Sequence, residues 1–62
     1  MDRYMVLLRD YGYRFDGKTL IERGIKGYTS DRVVGRFRDA QAAAEYLCPI
    51  IKDDEFTSRL SA

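Results

Sequence analysis

The fold class of this chain is decided by one stretch, RVVGRFRDAQAAAEYL, which spans Arg32–Leu47. Residues 32–37 alternate across the two faces of a sheet, and the β-branched pair Val33-Val34 suits a strand better than a helix. Asp39 follows where a helix needs an N-cap, because its carboxylate can accept hydrogen bonds from the exposed amides of the first turn. The stretch therefore predicts a β-strand that runs directly into a capped helix.

The predicted helix has a face of small residues that can lie close to a sheet. Apolar side chains recur at i, i+3, i+4 and i+7 spacing, which gives one helical face consisting of Ala40, Ala43, Ala44 and Leu47. Gly35 offers a point of close approach on the strand. We expect Pro49 to end the helix near Tyr46 or Leu47, because the residue before a proline disfavours helical angles.

A competing interpretation makes residues 31–47 one long helix. Gly35 inside that helix would cost about 1 kcal/mol relative to alanine, so we prefer the strand followed by the helix. Val33 and Phe37 then point to one face of the sheet. The other face receives Arg32, Val34 and Arg36.

The chain before this stretch predicts further strands. Arg3–Asp10 carries apolar residues on both faces, which is typical of a strand central in a sheet. Tyr13–Ile21 predicts a hairpin, because Asp16-Gly17 suits a type I′ turn. The alternative for residues 18–27 is a short helix that begins with a capping box and ends at a glycine, and both interpretations stay open.

The whole pattern predicts an α+β fold. Glu55–Leu60 is expected to return as an edge strand anchored by Phe56. The sum is an antiparallel sheet of three or four strands, with one α-helix, about Asp39–Cys48, packed on one face. Sixty-two residues make a single domain, residues 1–62.

Length and composition bound the setting of the protein. A chain of 62 residues buries only about 60% of its unfolded surface, so association into a homodimer would stabilise it. No stretch is long enough to span a membrane, and none has the pattern of a signal peptide. The single cysteine, Cys48, excludes an internal disulfide framework, so a cytoplasmic location is the default expectation.

The net charge of +1 hides an asymmetry. Residues 1–38 carry nine Lys and Arg against five acids, a net of +4, whereas residues 39–62 carry two bases against five acids, a net of −3. The part predicted to form the sheet is therefore basic. Such charges often form nothing more than solvated faces; the alternative is a dipolar molecule with a positive binding face.

Residue types exclude most catalytic sites. Gly12–Thr19 matches the phosphate-loop pattern GxxxxGK[ST], but true loops follow a buried strand and open a helix, and this short chain cannot supply the parallel sheet and second acid of such sites. The chain has no histidine, which removes the commonest general base and metal ligand. We expect no catalytic residues, no cofactor and no metal, and hence not an enzyme.

The tyrosines indicate a binding protein. Five of them occur in 62 residues, and tyrosine is enriched at interfaces. Two or three can simply cover a small core; the alternative is an exposed sheet face of tyrosine and arginine. The candidate partner-binding residues are Arg14, Arg23, Arg32, Arg36, Tyr13 and Tyr28.

One family resemblance rests on RFDGKTLIER, residues 14–23, followed by VVGRFRDAQAAAEY, residues 33–46. Residues 11–48 resemble the ethylene-response-factor DNA-binding domain and the arm-binding domains of phage-type integrases, which have a three-stranded sheet and an alanine-rich helix. The resemblance implies that the sheet enters the major groove of double-stranded DNA. It also implies that the residues that contact DNA are Arg14, Arg23, Arg32 and Arg36. The tryptophans of that family are absent, and the segment Arg3–Asp10 is additional.

A second resemblance is one of build. The whole chain resembles small inhibitors from phages and mobile elements, anti-CRISPR proteins among them, which block host machinery by occupying a partner protein or nucleoprotein. Near-neutral charge suits a protein partner better than DNA, so we rank this function first and DNA binding as the alternative. Arginines that share one face without acids favour DNA, whereas a protein partner is favoured if that face includes Asp2, Asp10, Glu22 or Asp31.

Overall fold

The computed structural model describes residues 2–62 and contains a helix, three strands and two more helices. In chain order these elements are α1 Arg3–Asp10, β1 Tyr13–Asp16, β2 Thr19–Glu22, β3 Arg32–Arg36, α2 Ala40–Ile51 and α3 Asp54–Ser61. The strands form one antiparallel sheet in the order β1-β2-β3. The predicted α+β class is confirmed, but the prediction of a single helix is wrong.

The hairpin between β1 and β2 is confirmed, with a different turn. Asp16 pairs with Thr19 as the last pair of the ladder, so the two loop residues are Gly17 and Lys18. Gly17 has φ 65°, and Lys18 is not among the residues with positive φ. This is the glycine position of a type II′ turn rather than the predicted type I′ turn. The alternative of a short helix over residues 18–27 is wrong.

The strand β3 contains an irregularity that sequence alternation does not predict. Leu20 pairs with Gly35 and Ile21 pairs with Val33, so Val34 is an extra residue in β3. A bulge of this kind turns the following side chains relative to the preceding ones. Val34 packs against the core and Val33 is 64% exposed, the reverse of the predicted orientations.

Segment α1 is a helix and not the predicted central strand. Asp2 caps it, since its carboxylate accepts from the Tyr4 amide at 2.7 Å. Four of the residues that face the core recur at helical spacing, namely Tyr4, Leu7, Leu8 and Tyr11, and Met5 packs beside them. An apolar run of this length fits either structure, and here the cap and the helical spacing prevail.

The helix α2 begins as predicted and ends later. The Asp39 carboxylate accepts from the Ala42 amide at 2.9 Å, and the predicted face of three alanines and a leucine is fully buried. Pro49 lies inside the helix, which continues to a left-handed C-cap at Lys52 with φ 53°. Pro49 lacks the amide that would reach the Glu45 carbonyl, but both residues are exposed, so water can solvate that carbonyl.

The C-terminal segment is helix α3 and not the predicted edge strand. The Asp53 carboxylate accepts from the Phe56 amide at 2.8 Å and so caps the helix. Asp54 and Glu55 occupy the first turn and Arg59 the last, which suits the helix dipole. Phe56 is fully buried, so the prediction that it anchors this segment is confirmed.

The core lies between one face of the sheet and the three helices. Its fully or nearly buried members come from α1, β2, α2 and α3: Leu7, Leu8, Leu20, Ala40, Ala43, Ala44, Leu47 and Phe56. A methyl group added at Gly35 would meet only the Phe37 ring, at 3.6 Å, so the predicted close approach of the helix to Gly35 is wrong. We call this side of the sheet the helical side.

Candidate functional site

The opposite side of the sheet, which we call the outer face, is defined by the strand register. Directly paired residues point to the same side of an antiparallel sheet. Phe15 pairs with the buried Leu20 and therefore lies on the helical side. The ladder continues beyond β2, because the Arg23 amide donates to the Gly12 carbonyl at 2.9 Å. The outer face therefore consists of the alternate pairs and Arg23: Arg14, Asp16, Thr19, Ile21, Arg23, Val33 and Arg36.

Arginine is used differently on the two sides of the sheet. Within residues 2–62, five of the eight arginines make an ion pair or hydrogen bond: Arg3, Arg9, Arg32, Arg38 and Arg59. The other three, Arg14, Arg23 and Arg36, have no such partner in the described chain, and all three are exposed on the outer face. Three of the four predicted arginines thus share one face of the sheet.

The outer face also has an apolar centre and one acid. Ile21 and Val33 form a cross-strand pair between the arginines, and Val33 is 64% exposed. Asp16 lies at the turn end of the face, opposite Thr19. The acids Asp2 and Asp10 flank or belong to α1 and do not lie on this face.

Arg32 does not belong to the outer face, contrary to the sequence prediction. It pairs with Glu22, which pairs in turn with Tyr13 on the helical side. The Arg32 Nε atom donates to Glu22 Oε1 at 3.1 Å. The extra residue in β3 places Arg32 and Arg36 on opposite sides of the sheet. Arg32, which the sequence predicts to contact a partner, instead forms an ion pair with Glu22.

The two candidate tyrosines lie apart from the arginine cluster. Tyr13 is half-buried and packs against the core; its burial, and then the charge of Glu22, raise the pKa of its hydroxyl. Tyr28 is 87% exposed, but it belongs to the loop between β2 and β3. That loop is held by Asp31, whose carboxylate accepts from the Gly24 amide at 2.8 Å.

A groove that sequence reasoning missed runs along β1. It encloses about 190 Å³ and is lined by Met5, Arg9, Tyr13, Arg14, Phe15 and Arg23. Met5 and Arg9 are one helical turn apart on α1, so only the recognition of α1 as a helix could have placed them together. Three arginines and three apolar or aromatic residues thus line the same groove.

The other chemistry-bearing patterns have structural settings of their own. The segment Gly12–Thr19, which matches the phosphate-loop pattern, forms β1 and the turn into β2 and opens no helix. Cys48 is half-buried, with its sulfur 3.4 Å from the Thr57 hydroxyl. In residues 2–62, acidic and cysteine side chains form no group of three or more that could hold a metal ion.

None of the helices in residues 2–62 has the length and apolar character needed to cross a membrane. Comparison with known proteins found no family model, no curated protein and no solved structure that matches the chain. The resemblances to integrase arm domains and to small inhibitors therefore stay predictions.

Proposed function

We propose that this protein is a small binding protein that attaches through its outer face to an anionic surface of a partner protein. The observation that carries the proposal is the presence of three exposed arginines without partners on one face, while the other five are engaged within the fold. Each guanidinium offers five donors in a fixed fork that matches carboxylates. Occupation of such a surface would make the protein an inhibitor, as in the phage and mobile-element proteins that it resembles.

A protein partner is favoured over DNA by what lies between the arginines. Ile21 and Val33 present apolar surface in the middle of the face. Arginine beside exposed apolar side chains is typical of the energetically important centre of a protein interface. Asp16 on the same face would repel a phosphate backbone but can accept a hydrogen bond from a protein.

Double-stranded DNA is the second candidate, favoured by the position of Arg14, Arg23 and Arg36 on the sheet side away from the helices. The acid criterion derived from the sequence also favours it, because Asp2, Asp10 and Glu22 lie off that face and Asp31 binds the Gly24 amide in the loop. Three phosphate contacts give a slope of about −2.7 in log affinity against log salt, a loss of about 40-fold between 50 and 200 mM. Such a contact set is small for a DNA-binding protein.

The first test is binding to random double-stranded DNA over a salt series. The protein-partner proposal expects weak or no binding at low salt. Micromolar affinity with the slope given above would replace it by the DNA alternative.

The second test maps the partner contact by photo-crosslinking in cells. A photoreactive residue in place of Val33 samples the outer face, and the same residue in place of Ile50, which is 56% exposed on α2, samples the helices. We expect a crosslinked protein from position 33 only, and its loss in the Arg36→Glu variant. Lys52→Glu, at the end of α2, is the control for the same change in net charge. Crosslinks of equal yield from both positions would refute the outer-face proposal.

A further inference from the structure

The strand β1 is an edge of the sheet with free main-chain groups. The strand order leaves only β2 beside it. Because the Gly12 carbonyl accepts from the Arg23 amide, and ladder bonds alternate along an antiparallel strand, Arg14 and Asp16 direct their main-chain groups to β2. Tyr13 and Phe15 direct theirs away from it. No backbone bond from elsewhere in residues 2–62 reaches those two residues.

The groove described above lies along this same edge. Tyr13, Phe15 and Met5 supply its apolar wall on the helical side. Arg14 and Arg23 line it from the outer face, and Arg9 lines it from α1. Of these three arginines only Arg9 has a partner, Asp10 at 3.6 Å, an exposed pair that is worth little.

We propose that an extended acidic segment of the partner protein adds to β1 as a fourth, antiparallel strand. Its main chain would bond to Tyr13 and Phe15, and its side chains would alternate between the two sides of the sheet. Residues opposite Tyr13 and Phe15 would place apolar side chains in the groove, and the residues opposite Gly12 and Arg14 would bring carboxylates to Arg23 and Arg14. The recognised pattern is therefore four alternating acidic and apolar residues over about 13 Å.

The charge of this edge argues for an acidic partner and against a second copy of this chain. Two copies paired through β1 would bring together Arg9, Arg14 and Arg23 of each, with Asp16 as the acid of β1 itself. An acidic strand meets the same three arginines with opposite charge. The proposal rests on the proposed function, because it names which part of a protein partner the outer face receives.

The test uses a capped seven-residue peptide of alternating glutamate and leucine, with binding measured by calorimetry at two salt concentrations. We expect Arg14→Glu and Arg23→Glu each to weaken binding by about 10-fold or more. Lys52→Glu is the control, because it makes the same reversal of charge at an exposed residue at the end of α2 that does not line the groove. It should change the affinity by less than about 2-fold. Equal losses in Arg14→Glu and Lys52→Glu, or equal binding of a glutamine-for-glutamate peptide, would refute the edge site.

Peptide chemistry tests the main-chain contacts without any change in the protein. In antiparallel pairing the leucine amides face β1, so N-methylation of the leucines should abolish binding and N-methylation of the glutamates should preserve it. Hydrogen exchange at the Tyr13 and Phe15 amides should slow in the complex. If leucine-methylated and unmodified peptides bind alike, or if the unmodified peptide does not bind, the strand-addition proposal fails. Crosslinking from position 33 would still decide the proposed function separately.

Discussion

The two sides of the sheet differ in how their polar groups are satisfied. On the helical side, charged groups cap helices and pair with one another, as Asp10 does with Arg59 at 2.9 Å. On the outer face, Arg14, Arg23 and Arg36 are exposed and make no ion pair or side-chain hydrogen bond within residues 2–62. A net charge of +1 can therefore conceal a surface whose arginines have no acidic partner within the fold.

The helical side also contains the contacts that join the end of α1 to the start of α3. The Tyr11 hydroxyl donates to Asp53 Oδ1 at 2.7 Å, and the Tyr11 and Phe56 rings meet edge to face at 5.0 Å. Asp53 thus caps α3 and receives a residue from the end of α1. Stability should therefore depend on the helical side, and binding on the outer face.

Phe56→Ala should cause the largest loss of stability. Phe56 is fully buried, and loss of a buried phenylalanine costs about 3–5 kcal/mol, which is comparable to the whole stability of a domain this small. We expect the variant to be largely unfolded at 25 °C by circular dichroism. Tyr28→Ala, at a position 87% exposed, should stay within about 0.5 kcal/mol of the parent in urea titration. Similar urea midpoints for both variants would contradict this account of the core.

The next effect distinguishes two glycines. A methyl group at Gly24 would lie 2.6 Å from the Ser30 carbonyl carbon and 2.7 Å from its oxygen, both backbone atoms that cannot turn aside. We expect Gly24→Ala to cost about 1–3 kcal/mol through displacement of the loop before β3. Gly35→Ala is the control, because its methyl group would make an ordinary contact with Phe37. Equal urea midpoints for the two variants would show that the loop yields freely.

Low pH should reduce the stability that the capping carboxylates contribute on the helical side. The Phe56 amide, and then the Tyr11 hydroxyl, lower the pKa of Asp53, and the Ala42 amide lowers the pKa of Asp39. A carboxyl group with a lowered folded-state pKa contributes stability above its ordinary pKa, and that contribution is lost as the pH falls through the folded value. The urea midpoint should therefore fall as the pH drops below about 4. Asp53→Asn, which keeps a capping oxygen, should make that fall shallower; an unchanged pH profile in this variant would contradict the role of Asp53.

High pH should remove the stability that the Tyr11 hydroxyl contributes, because its pKa is raised whereas that of Asp53 is lowered. The hydrogen bond to Asp53, followed by burial, raises the pKa of Tyr11 to about 12. Because the folded-state pKa is raised, the contribution to stability is complete below the ordinary pKa of 10.0 and is lost as the pH rises toward 12. Ultraviolet titration should show a late-ionising tyrosine that is missing in Tyr11→Phe. A titration curve with the same late phase in both proteins would assign that phase to another tyrosine.

Sequence reasoning succeeded where local signals agreed. Helix α2 has both a cap and a four-residue apolar face, and the hairpin has a glycine at its turn. Helix α1 was mistaken for a strand because the apolar run of five residues, Tyr4–Leu8, satisfies a period of 2 as well as one of 3.6. The cap at Asp53, with Phe56 and Leu60 one turn apart, was a readable sign of α3.

The candidate site was predictable only in part. Simple alternation places Arg14 and Arg36 on exposed sheet positions, and continuation of the ladder adds Arg23. The position of Arg32 depends on an extra residue in β3, which is a property of cross-strand register and leaves no local mark in the sequence. The groove beside β1 depends on α1 and was missed with it.

The smallest expected changes in the free energy of unfolding are those of Arg36→Glu and Arg32→Glu. Arg36 has no partner within residues 2–62, so Arg36→Glu should leave the free energy of unfolding within about 0.5 kcal/mol of the parent. Arg32→Glu removes an exposed pair and places a like charge opposite Glu22, which should cost about 0.5–1 kcal/mol. Urea titration at low salt should resolve the two variants, and added salt should bring them together because the repulsion is screened. If Arg32→Glu is the less stable of the two and only Arg36→Glu loses crosslinking from position 33, Arg36 serves binding and not folding. If Arg36→Glu is the less stable of the two, that arginine supports the fold, and the division of labour between the two sides of the sheet is wrong.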